Sequence, residues 1–146
     1  MDDRKKIIRK KSILINMKKQ IKEIQAVKVI DFFDAKSEEI EKYSKHVNEL
    51  HKHSYPRLCT RKIEGDNDNL VEWILQNLQF INDGSIWLMP FEGMGIWWTK
   101  VMVLDCKRAL NELWRYGDIC IVDVENKVIF YIGVNESNCE IALKQL

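Results

Sequence analysis

A chain of 146 residues, 46% hydrophobic and 31% charged, can bury a core without disulfide or metal staples, and its aromatic content excludes wholesale disorder. No apolar run approaches the roughly 20 residues of a membrane span, and the charged N-terminus lacks the apolar stretch of a signal peptide. The formal net charge is only +1, but it is split: residues 1–28 hold ten Lys/Arg and three Asp/Glu, whereas the remainder holds thirteen and nineteen.

Residues 3–27 carry a helical pattern. Ile7, Leu14 and Ile21 take one heptad position, Met17 and Ile24 the other, and Lys10 interrupts the set. That seam is too short for a coiled coil. Residues 1–28 therefore predict a basic amphipathic helix docked on its own domain with solvated lysines. Binding to nucleic acid and dimerisation are the alternatives. No aromatic residue interleaves with the lysines, which counts against a single-strand platform. Val27–Phe33 predicts a short strand or extended connection.

Ser37 caps the next helix, with Glu38 and Glu39 in its first turn. Ile40, Tyr43, Val47 and Leu50 give it one buried face, and Tyr55-Pro56 ends it after His53. Arg57–Ile63 reads as an edge strand and Glu64–Asn69 as a loop. Asp66 or Asp68 can cap a helix whose Leu70, Trp73 or Ile74, and Leu78 face inward.

Residues 84–134 are the core unit. Ile86–Phe91 follows the turn pair Asp83-Gly84 and predicts a strand that Pro90 places at an edge or ends. Glu92-Gly93-Met94-Gly95 supplies a turn. Ile96–Leu104 is apolar on both faces apart from Lys100, so helices should cover at least one face of the sheet. Asp105 is an N-cap; Cys106, Ala109, Leu110, Leu113 and Trp114 form a stripe; Gly117 closes the helix. Asp118–Val124 and Lys127–Val134 predict a hairpin joined at Glu125-Asn126, with Asn left-handed. Ser137 and Glu140 form a capping box that predicts a short last helix to Leu146. The fold class is therefore α+β: one domain over 1–146, mainly antiparallel sheet, flanked by helices.

Few residues suggest chemistry. His46, His51 and His53 invite zinc, but a site needs further ligands in fixed places, and exposed histidines near a helix end explain them better. Gly93-Met94-Gly95 lacks the Lys and Ser/Thr of a phosphate loop. Trp97 and Trp98 point to opposite faces of a strand, so core packing is expected for one of them. Asp105, Asp118 and Asp123 can be drawn as a carboxylate cluster, but Asp105 has a capping role and Asp118 starts a strand, which leaves little for catalysis, and nothing resembles a nucleophile elbow. No enzyme, cofactor or metal is expected. Cys59, Cys106, Cys120 and Cys139 form no Cys-x-x-Cys pair and are expected as reduced thiols.

The order from Ile86, through a helix closing on Leu113-Trp114, to Asp118–Val124 and Val128–Val134 resembles small bacterial immunity proteins of contact-dependent growth inhibition and related polymorphic toxin systems. The resemblance covers about the C-terminal 65 residues. It implies a cytoplasmic, non-enzymatic protein that binds a cognate toxin domain, often a nuclease, and blocks it. Between Lys62 and Lys100 there is no basic residue but six acids, Glu64, Asp66, Asp68, Glu72, Asp83 and Glu92. Such a face would steer a basic partner, so Glu64, Asp66, Asp68 and Glu92 are the expected toxin contacts. A nucleic-acid-binding regulator using the N-terminal helix is the alternative. Thiol titration of the denatured, unreduced protein should find four free groups; two or fewer would refute the reduced state.

Overall fold

The computed structural model describes residues 2–52, 54–63, 67–90, 95–135 and 137–146, with the backbone alone for Asn67, Asp68 and Asn135. In chain order the elements are α1 (Asp3–Ile21), β1 (Val27–Asp34), α2 (Glu38–His51), β2 (Cys59–Lys62), α3 (Asn67–Asn77), β3 (Ile86–Pro90), β4 (Trp97–Val103), α4 (Cys106–Leu113), β5 (Ile119–Asp123), β6 (Val128–Asn135) and β7 (Asn138–Gln145). The seven strands make one antiparallel sheet in the order β1-β4-β3-β5-β6-β7-β2. This is the α+β class that the pattern predicts.

Each face of the sheet buries its own cluster, as the two-sided strands require. On one face, Met17 and Ile21 of α1, Leu70 and Ile74 of α3, and Leu110 and Leu113 of α4 pack on Trp87, Val101, Ile121, Phe130 and Ile141. On the other, Ile40, Val47 and Leu50 of α2 pack on Trp98, Val122, Ile129 and Ala142. Trp97 and Trp98 part company across β4: Trp97 joins the first cluster and Trp98 is buried in the second.

Several expectations need correction. The last segment is strand β7, not a helix. It pairs with β6 from Val128↔Gln145 to Asn135↔Asn138, and β2 pairs on its far side. A capping box contributes about 1 kcal/mol. That is outweighed by two ladders and by burial of Cys139 and Ile141 on one face and Ala142 on the other. Pro90 does not put β3 at an edge; β3 lies between β4 and β5, and Pro90 is where it ends. α1 stops at Ile21, well before residue 27, and the following segment forms the eight-residue β1. The β5–β6 connection spans 124–127, and the left-handed residue is Lys127 (φ 55°) rather than Asn126. Buried Asp123 holds Asn126 by its backbone N–H (3.2 Å) and side-chain amide (3.1 Å), which moves the left-handed position one residue on.

The α1–β1 connection is held to α4 by a clamp. Glu112 on α4 is 5% exposed, and its carboxylate accepts from Gln25 N (2.8 Å) and Ala26 N (3.1 Å) in the α1–β1 connection. Arg108 Nε stands 3.2 Å from the same carboxylate. Ala26 O accepts in return from Leu104 N (2.7 Å), and Tyr116 donates to Glu23 (2.7 Å). Removing the carboxylate strands two amides at a closed connection. Glu112→Ala should therefore cost about 2–3 kcal/mol in chemical denaturation. Arg108→Ala, at a side chain 55% exposed, should cost under about 1 kcal/mol. Equal costs would mean that the ion pair, not the amide bonds, closes the clamp.

Candidate functional site

Two regions gather polar side chains without being explained by the core alone. The first is the sheet edge formed by α1 and β1. α1 runs back along β1: Lys18 lies over the Phe32 ring (5.4 Å to its centroid), and Lys10 reaches Asp34 at the end of the strand. Trp97 Nε1 donates to Lys10 O (3.0 Å), and the Lys10 ammonium sits 5.3 Å from the Trp97 ring centroid. Residues 3–9 continue past this point, on the order of 10 Å of helix at 1.5 Å per residue, and all are exposed. The heptad seam is thus only half used. Met17 and Ile21 are buried, but Ile7 is 56% exposed because the helix has left the sheet there.

Ile8 and Ile15, also exposed, share another flank of the helix. Ile30 is exposed on β1 at a register shift between Val29 and Asp31, a bulge that blunts this edge. Arg4, Lys5, Lys6, Arg9 and Lys11 flank Ile7 and Ile8 along the helix.

The second region lies under the C-terminal end of α2. Arg57 Nη1 donates to Leu50 O (2.8 Å), one of the carbonyls a helix end leaves free. Its Nε donates to Glu140 (3.1 Å) on β7, and its guanidinium stands 5.3 Å from the Tyr131 ring centroid. The His51 and Tyr131 ring centroids are 4.8 Å apart. Tyr131 OH donates to Asp118 (2.9 Å), which also accepts from Val134 N (3.2 Å). Glycine at 133 permits this, since a β-carbon there would collide with the Tyr131 ring. Burial, followed by the bond to Asp118, pushes the Tyr131 phenol up to about 12. Burial also lowers the His51 imidazole, against the pull of Asp118.

A phenol held protonated is a poor base, and Arg57, Tyr131 and Asp118 already have partners. The arrangement ties α2 to β6 and β7 rather than presenting a nucleophile. Asp118, considered above only as part of a carboxylate cluster, belongs to this clasp; Asp105 caps α4 through Arg108 N (3.1 Å), and Asp123 holds the β5–β6 turn.

Of the expected toxin contacts, Glu64, Asp66 and Glu92 lie outside the described residues, and Asp68 is in the first turn of α3 with its side chain undescribed. The other two acids of that run have partners distant in sequence. Glu72 pairs with Lys107 (3.0 Å), and Asp83 accepts from Cys106 N (2.9 Å). Absence of nearby Lys and Arg in sequence therefore did not make them free. His53 lies outside the described residues, while His46 is half-buried with no partner for Nδ1 among them. No group of three His, Cys, Asp or Glu among the described residues could hold a metal ion.

All four cysteines are free. Cys120 and Cys139 are buried as a small hydrophobe would be, whereas Cys59 and Cys106 are only partly so, although Cys106 belongs to the apolar stripe that the sequence shows. Burial pushes the thiols of Cys120 and Cys139 up to about 12, which makes them poor nucleophiles.

No described helix is long and apolar enough to cross a membrane. Compared with family models, curated proteins and solved structures, the chain matches none of them.

The clasp has a pH signature. A phenol raised from 10.0 to about 12 stabilises the fold fully below pH 10, and that contribution disappears as pH rises toward 12. Tyr131→Phe should cost about 1 kcal/mol near neutrality. Its deficit against the parent protein should shrink between pH 10 and 12 in urea titrations. A deficit independent of pH would exclude this role for the hydroxyl.

Proposed function

We propose that the protein is an immunity-type inhibitor that works in the cytoplasm, seats against a cognate toxin domain and blocks it by protein–protein contact. One observation carries this reading. Among the described residues, eight large apolar side chains are exposed, and four of them, Ile7, Ile8, Ile15 and Ile30, lie on α1 and the adjacent edge strand. Single exposed apolar residues are ordinary. A group at one edge, set among cations, has the anatomy of an interface: apolar contacts within a polar rim. The order β3-β4-α4-β5-β6 adds support, since it is the pattern on which the family resemblance rests.

The role needs no chemistry from the inhibitor, only a rigid surface that covers the toxin's working site. A nuclease is the favoured target, because Glu64, Asp66, Asp68 and Glu92 offer carboxylates to a cleft built for phosphate. Co-expression with the toxin domain encoded directly upstream should restore growth, and the two proteins should purify as a complex. Reversing Glu64, Asp66 and Asp68 to Lys should slow association by a factor that shrinks as salt rises. Failure of the parent protein to protect or to bind would overturn the inhibitor reading. Unchanged association in the reversal variant would remove only the acidic loop from it.

A further inference from the structure

A groove of about 460 Å³ lies between the start of α1, the β1–α2 turn and the start of β4. Its lining is uneven in a specific way. Ala35 and Ile96, both half-buried, put apolar surface in it. Lys6 and Arg9 stand on the α1 side and Lys36 on the turn side, all exposed. Among the described residues Lys6 and Arg9 have no anionic partner, and Lys36 feels only Asp34, which Lys10 already holds. The one carboxylate in the groove, Asp34, is already engaged. It accepts from Lys10 Nζ and from Lys36 N (2.9 Å), and Lys10 holds its carboxyl below the usual range.

The groove is also built on fixed backbone. Ala35 N donates to Ile96 O (2.9 Å), and Ser37 donates to Asp34 O through both its N–H (2.9 Å) and its hydroxyl (2.6 Å). The Trp97 bond to Lys10 O holds α1 against β4. An apolar surface between cations on two sides, which outnumber the carboxylate of Asp34 among the described residues, is therefore preformed, and little ordering is needed to fill it.

We infer that this groove docks an acidic segment of a partner protein, with an aliphatic side chain against Ala35 and Ile96 and carboxylates reaching Lys6, Arg9 and Lys36. Charge complementarity selects the anion, and the apolar lining selects its carrier. A nucleic-acid backbone would bring phosphates to the cations but leave Ala35 and Ile96 in contact with water, with no aromatic face for a base. A lipid surface is broad and would meet the convex flank bearing Ile8 and Ile15, not a recess beside the sheet. The inference does not require the partner to be a toxin.

The test uses the full chain and a labelled peptide of two leucines flanked on each side by two glutamates, followed by fluorescence anisotropy. Binding should weaken as salt rises. It should fall about tenfold or more when glutamine replaces the glutamates, and similarly when serine replaces the leucines. The triple variant K6E/R9E/K36E changes only exposed side chains, so its melting temperature should match the parent's while peptide binding is lost. Ala35→Asp, at the apolar lining, should also abolish binding and gives a second variant with an independent readout. Four results would overturn the proposal: no peptide binding; binding that survives the triple variant; tighter binding to phosphatidylserine vesicles or single-stranded RNA than to the peptide; or self-association in light scattering that the triple variant abolishes. Protection against a toxin that persists in K6E/R9E/K36E would exclude the groove from that interface and leave the inhibitor reading intact.

Discussion

The position of everything at the α1 edge depends on one buried carboxylate. Glu112 closes the two amides of the α1–β1 connection, and so settles how the chain passes from the buried end of the first helix into β1. The charge sits on α4, whose own N-cap, Asp105, follows directly from β4. The strand that pairs with β1 and the helix that holds its connection are thus consecutive in the chain. The groove beside α1 inherits its shape from this arrangement, since α1 is tied beyond its C-terminal end by the clamp and near its middle, at Lys10, by Trp97 and Asp34.

Electrostatics in this molecule work between elements rather than within them. Residues 1–28 and the rest of the chain differ sharply in charge, yet the charged groups with named partners mostly find them far away in sequence: Lys10 with Asp34, Lys107 with Glu72, Arg57 with Glu140, Lys144 with Glu49. An exposed pair such as Lys107 with Glu72 adds little stability. Such pairs do decide which charges remain available to a partner. After they are drawn, the cations of the first two turns of α1 have no ion-pair partner among the described residues, and the acids of the Lys62–Lys100 run that can be followed do have partners.

The parts of the fold visible in the sequence are those where local pattern and burial agree. The Asp105 cap, the α4 stripe, the β4 run with two apolar faces and the β5–β6 hairpin were all legible because each residue's local preference matched its place in the core. β7 was hidden for the opposite reason. Ser137 and Glu140 satisfy a helix start locally, while the alternation of Cys139, Ile141 and Leu143 is short and matters only once β6 lies alongside. The Tyr131–Asp118 bond joins neighbours on one hairpin, but Arg57 and His51 come from the end of α2, so nothing in spacing could assemble them. The groove was illegible on similar grounds. Lys6 and Lys36 are thirty positions apart, and the reason they face one recess is the antiparallel return of α1 along β1.

The strand order carries a consequence for synthesis. Both edges of the sheet come from the first half of the chain, while the five strands between them come from the second. Val27 has no strand to pair with until Val103 has been made, and Cys59 must wait for Ile141. A ribosome delivering residues in order therefore releases two exposed strand segments long before either can be satisfied. The brevity of β2 and its Lys62, and in β1 the Ile30 bulge and the charges at Lys28 and Asp31, make both segments poor templates for stray pairing during that interval. The same features that blunt the finished edges would guard the nascent chain, whose sheet can close only after β7 has emerged.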